Sequence, residues 1–245
     1  MIVDRKQFDA FINILPDLKQ DEVYFFSLSA RNKYLTAEER QEYALGRTEM
    51  FSREIARDKE GIYYVMNKLK ASLQYRKTNN GKTIPEKALV IYANINPSST
   101  IKAYQLFKQE MDKQVNDAIY AFLNSKEPNF EGLTRINREL MNCIQKARSR
   151  KYYIDLDIDL YNKGTNKCVD DLTSFLKESK SVFYKIETFS GYHFLVKKET
   201  APNNLFSKMN EYRLSMYIKE IEFNKNEMIP VPGTLQAGKL VKFVE

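Results

Sequence analysis

The chain holds a single histidine, His193, and two cysteines, Cys143 and Cys168, far apart among its 245 residues. One histidine excludes the two-histidine zinc helix and the paired-histidine relaxase site. Two distant cysteines with no partner cluster exclude a disulfide scaffold and a zinc site, and a reducing, cytoplasmic setting is expected. No run of eighteen apolar residues occurs, so neither a transmembrane helix nor a membrane partner is expected. The opening MIVDRKQFDAFINILPDL carries acids and lacks a basic-then-apolar-then-small pattern, so no signal peptide is expected. A GxxxxGK[ST] loop is missing, so any helicase acting with this chain is expected to be a separate protein. A glycine-rich βα turn of the dinucleotide-binding kind is missing as well.

What is present is enough for a substantial core: 43% of residues are apolar and 29% charged, with a net charge of +7. That excess of cations is compatible with a polyanionic partner and alone decides nothing.

Residues 1–150 read as mostly helical, with one strand near 88–95 in KALVIYANIN. The stretch KYLTAEERQEYALGRTEMFSREIARDKEGIYYVMNKLKASLQYR has apolar residues at helical spacing, and Thr36 and Glu39 stand in capping-box relation at its start. NPSS supplies a turn and cap for a long helix from Thr100, and another helix is expected from about Leu133 to Arg148. After Ser149 the rhythm changes. The order becomes β-α-β-β-α-β with extra strands, the split βαβ pattern of ferredoxin-like folds. The fold class expected is α+β, divided into residues 1–150 and 151–245.

The stretch YYIDLDIDL, residues 152–160, alternates. A strand turns successive side chains to opposite faces, so Asp155, Asp157 and Asp159 share one face and the isoleucines and leucines the other. Alternation of this kind also describes the solvated face of an ordinary sheet. The three carboxylates repel unless a cation joins them, and hard ions such as Mg²⁺ or Mn²⁺ take oxygen ligands. Some way downstream, TFSGYHFLVKK places Ser190 and Gly191 between two strands, followed by His193, Lys197 and Lys198. A glycine there permits a close backbone approach, and serine and histidine can donate to phosphate oxygens. The last segment, IEFNKNEMIPVPGTLQAGKLVKFVE, offers Glu220 and Glu222 on one strand face and a PGT turn followed by Lys239.

In this order, hhhDhD, SGxH, and a strand carboxylate followed by PGT and a lysine resemble the archaeo-eukaryotic primase superfamily, in its compact phage and plasmid primase-polymerases. The resemblance covers Tyr152 to Glu245 and implies an RRM-like catalytic core with an accessory N-terminal subdomain. It implies a primase or primase-polymerase that makes short primers on single-stranded DNA from NTPs or dNTPs, beside a separate replicative helicase, in a bacterial, phage or plasmid setting. Carried over, Asp155 and Asp157 bind two Mg²⁺ or Mn²⁺ ions, with Asp157 and Asp159 as the alternative register, and Glu222 or Glu220 is the third ligand; no zinc element is present. Ser190, Gly191, His193, Lys197 and Lys239 would serve the nucleotide. Pro230 stands near where the family often has an arginine, so one contact is missing or supplied elsewhere. Template candidates are the basic residues Arg31, Lys33, Arg76, Arg148 and Arg150. Two competing readings are a catalytically silent nucleic-acid-binding replication protein on the same fold and an unrelated DxD enzyme.

Overall fold

The computed structural model describes residues 2–75, 77, 81–159, 164–215, 221–223 and 228–245; for residues 75, 164–166, 213, 215 and 221–223 it describes the backbone alone. The chain is a mixed α+β protein built on antiparallel sheets.

The first half runs α1 (Arg5–Ile14), β1 (Glu22–Arg31), α2 (Ala37–Tyr43), β2 (Thr48–Ala56), α3 (Lys59–Ser72), β3 (Leu89–Asn94), β4 (Ser98–Ser99), α4 (Thr100–Leu123), α5 (Glu131–Thr134) and α6 (Ile136–Lys146). The capping box at Thr36 and Glu39 is formed, and Ser99 caps α4 by accepting from the Lys102 amide. Helix predominates in this half, as the sequence pattern predicts, but it holds four strands rather than the single one expected near 88–95. β1 pairs with β2 on one side and with β3 on the other in an antiparallel sheet. β1 escapes a periodicity test because both its faces are covered. Tyr24, Phe26 and Leu28 enter the main core, while Val23 and Phe25 pack with Ala103 of α4 and Ile144 of α6. Continuous burial erases the alternation that marks a half-exposed strand. β2 is an edge strand with a register shift, and its apolar residues mimic helical spacing.

The second half runs β5 (Tyr153–Asp159), α7 (Gly164–Glu178), β6 (Phe183–Glu187), β7 (Gly191–Lys197), α8 (Leu205–Ser215), β8 (Ile221–Phe223), β9 (Met228–Pro230), β10 (Leu235–Gln236), β11 (Lys239–Leu240) and β12 (Lys242–Val244). The second sheet has the order β12-β6-β7-β5-β8, so each β-α-β crossover skips one strand and the two crossovers interleave. α7 and α8 cover one face, where Leu172, Leu176, Leu205 and Met209 pack on Leu156, Ile158 and Phe194.

The two sheets are not independent. β9 leaves the second half and pairs with β3 of the first sheet. One buried cluster contains Phe8, Phe26 and Ile91 together with Tyr153, Ile186, Leu195 and Val241. A boundary at residue 150 therefore runs through a shared core. Among the described residues no helix is long and apolar enough to cross a membrane.

Candidate functional site

β5 is held at its start by Asn96, which is fully buried. Its side-chain oxygen accepts from the amides of Tyr152 and Tyr153 at 2.7 and 2.8 Å, and its amide nitrogen donates to the Tyr153 carbonyl at 2.9 Å. The Tyr153 hydroxyl donates to the carbonyl of Ile14 at the end of α1. The carboxylate strand is thus aimed by groups from the first half of the chain.

Its pairing brings the distant motifs together. Asp157 lies opposite His193 of β7 on one side and opposite Glu222 of β8 on the other. Paired residues of adjacent strands occupy the same sheet face. One row across the sheet therefore reads Ile186, His193, Asp157 and Glu222. Glu222 is described by its backbone alone, and Glu220 lies outside the described residues.

His193 is buried and sits on the carboxylates. Its Nδ1 is 3.0 and 3.2 Å from the two Asp155 oxygens, and its Nε2 is 3.6 Å from Asp157 Oδ1. Burial disfavours the imidazolium, but Asp155 and Asp157 outweigh it and raise the pKa from 6.5 to about 9. His193 is therefore a cation at neutral pH, and Nδ1–H donates to Asp155. Asp157 keeps 36% of its side chain exposed. Desolvation holds its carboxyl above the ordinary value; His193 and Lys33 oppose that rise, and Asp155 and Asp159 reinforce it. Asp159 accepts from the Ser190 hydroxyl at 2.8 Å.

The raised histidine gives a prediction. A group whose folded pKa lies above its unfolded one stabilises fully below the unfolded value and loses that contribution as pH rises through the folded value. The melting temperature should fall between about pH 6.5 and 9, and His193→Gln should flatten that slope in a thermal melt series.

The donor set fits a hard divalent cation in kind. It consists of carboxylate oxygens, which hard divalent cations take as ligands. Among the described residues no group of three His, Cys, Asp or Glu side chains is placed to hold a metal ion.

The other residues singled out by sequence divide sharply. Gly191 serves packing: a Cβ there would stand 1.9 Å from the Ile158 carbonyl oxygen, so only glycine lets β7 close on β5. Its amide and carbonyl close the turn on Thr188. Lys239 is not at the carboxylates. It pairs with Glu187 at 2.7 Å, and Glu187 lies opposite Tyr192, at a register position of the helix-covered face. Lys197 shares the carboxylate face but lies opposite Tyr153 at the far end of β7, with Nζ 5.2 Å above the Tyr152 ring and 3.6 Å from Glu199. Arg150 is bound to buried Glu22 through Nε at 3.1 Å and Nη2 at 3.2 Å, and also donates to the Asp17 carbonyl. It clamps Glu22 within the fold and keeps about a third of its side chain in water. Arg148 bridges Ser98, and Lys102 donates to its carbonyl at 3.1 Å. Arg76 lies outside the described residues.

Lys33 is the basic residue of this set that reaches the carboxylates, and Arg31 lies beside it. Lys33 is within electrostatic range of Asp159 and Asp157. The neighbouring Tyr34 packs edge-to-face on Phe189 at 5.6 Å, and its hydroxyl accepts from Gln236 at 2.6 Å. Gln236 in turn accepts from the Phe189 amide, one residue before Ser190. Arg31 Nη1 donates to the Tyr92 hydroxyl at 2.9 Å, while its Nε is buried without a hydrogen-bond partner among the described residues. Desolvation, then Arg31 and Arg47, lower the Lys33 pKa. Arg47 has no signal in the sequence, since it lies in a short connection before β2 with no motif around it. The turn after β1 thus brings one cation, Lys33, to the carboxylate row, with Arg31 and Arg47 near it.

In comparison with known proteins, the chain matches no protein-family model, no curated protein and no solved structure.

Proposed function

We propose that the protein is a metal-dependent nucleotidyltransferase that copies single-stranded DNA, a primase or primase-polymerase with an RRM-like catalytic core. The observation that supports this best is the register. Three motifs far apart along the chain, DxD, SGxH and the β8 carboxylate, meet in one row on one face of an interleaved β-α-β sheet. Chance alternation on a wet sheet face would not gather them.

In this reading Asp155, Asp157 and Glu222 would hold Mg²⁺ or Mn²⁺. The ions supply neutralisation of triphosphate charge and activation of the attacking hydroxyl. The protein's own part is positioning and charge, which is most of what phosphoryl transfer asks of it. Asp155 fixes the imidazolium through Nδ1, and Nε2, 3.6 Å from Asp157 Oδ1, is the nitrogen that would serve a phosphate oxygen beside that carboxylate. Ser190 orients Asp159. Lys33, with Arg31 beside it, would offer positive charge to the nucleotide or template phosphates, a sequence-independent contact of the kind that carries most affinity for nucleic acid.

A second reading, a silent nucleic-acid-binding replication protein, is favoured by one feature. Ser190, His193 and Lys239 are all satisfied by carboxylates of the protein itself. The two readings separate in an assay with single-stranded DNA, labelled NTPs or dNTPs, and Mg²⁺ or Mn²⁺. Extension products from wild type and none from Asp155→Ala/Asp157→Ala support the first. Template binding without product supports the second. Neither binding nor product overturns both.

A further inference from the structure

α4 is 24 residues long, about 36 Å at 1.5 Å per residue. Ala103 packs with Ile144 of α6, Ala118 is buried, and α5 and α6 are its principal helical neighbours. Another face is apolar and open: Ile101 is 60% exposed, Tyr104 64%, Val115 42% and Ile119 52%. These residues recur at helical spacing, so they form a stripe rather than scattered exposures. Exposed apolar surface gathered on one face marks a contact site.

The middle of the stripe is charged. Lys108 and Asp112 are exposed and make no ion pair among the described residues. From Ile101 to Ile119 the order along the stripe is apolar, apolar, Lys, Asp, apolar, apolar, which reads as its own complement when reversed; Phe122 and Leu123, 75% and 74% exposed, extend the stripe past that segment at the C-terminal end of α4. A two-fold axis at the level of Glu110 sets Ile101 against Ile119 of a second copy and Lys108 against Asp112, and brings Tyr104 within one residue of register with Val115, with every pair occurring twice. A closed two-fold contact uses the same patch on both partners and requires just such self-complementarity.

We propose that α4 pairs antiparallel with α4 of a second copy of this chain, with apolar contacts at both ends and two Lys108–Asp112 ion pairs at the centre. The inference rests on this helix and is independent of the activity proposed above.

Sedimentation velocity of the full chain tests it. Wild type is expected to dimerise. Lys108→Glu and Asp112→Lys should each weaken self-association roughly tenfold or more, because each sets two like-charge pairs across the axis. Their equimolar mixture should associate again. The glutamate introduced in one variant then meets the lysine introduced in the other, while the native Asp112 of the first meets the native Lys108 of the second. Ile119→Ser should also weaken the dimer without any change of charge. The residues are exposed, so circular dichroism and melting temperature should stay at wild-type values. A monomeric wild type, a dimer indifferent to these variants, or a mixture that fails to associate overturns the proposal.

Discussion

On the proposed reaction, Asp157→Asn is expected to cost about a hundredfold to a thousandfold in primer extension while leaving the fold no less stable at neutral pH. Both halves follow from the same surroundings. Asp157 is the carboxylate of the row that opens outward, flanked in register by His193 and Glu222. An amide of the same shape cannot supply the negative oxygen that a hard cation needs. Yet without a cation the ionised form is a liability, since desolvation and the neighbouring Asp155 and Asp159 keep its pKa above the ordinary value. An acid shifted upward stabilises below its unfolded pKa and loses that contribution as pH rises through the folded one. At neutral pH the charge is therefore a net cost, and asparagine removes it. Extension rates beside melting temperatures check the pair of claims. A variant that loses activity and melts well below wild type would make Asp157 a structural residue instead.

Arg150→Ala should behave in the opposite way, lowering stability while leaving DNA affinity at the wild-type level. The Glu22 side chain is fully buried and accepts from the Lys19 amide at 2.8 Å, the Ser149 hydroxyl at 2.7 Å and the Arg150 guanidinium. Burial raises its pKa, but those hydrogen bonds outweigh it and hold the carboxyl below the usual value. Removing the guanidinium leaves a buried charge with neutral donors only. Arg150 keeps about a third of its side chain in water, so the loss is about 2 kcal/mol rather than the roughly 3–5 kcal/mol of a wholly buried pair. For a chain of this size that lowers the melting temperature by roughly 4–8 °C. The Glu22→Gln/Arg150→Ala double variant should recover part of it. Weaker DNA binding by a well-folded Arg150→Ala protein would restore the template role.

How much of this was legible in the residues depended on what lay beside each element. β5 was readable because one face meets helices and the other carries the carboxylates, so its alternation survives. β1, covered on both faces, kept no alternation to read. The carboxylate trio was visible as a pattern, but its meeting with His193 was not. Strand register between distant segments is decided by packing across the sheet. Lys239 looked like a phosphate ligand because its true partner, Glu187, reaches it only through the pairing of β12 with β6. Arg150 seemed a free surface cation because Glu22 lies 128 positions away.

The pairing of β9 with β3 has a consequence for the order of assembly. Tyr92 meets Pro230, Ile2 bridges Thr234, and the Val3 amide donates to the Gly233 carbonyl. β1, β2 and β3 can come together while the chain is still being made, but the fourth strand of their sheet arrives only after most of the second half has been synthesised. Contacts this distant along the chain slow folding, because the intervening loop must be closed before any of them gains. Until then the open edge of β3 waits as an unpaired strand, the kind of surface on which nascent chains aggregate. Expression at low temperature or with holdase chaperones should therefore raise the yield of the intact chain, and a fragment ending before residue 228 should gain little from either.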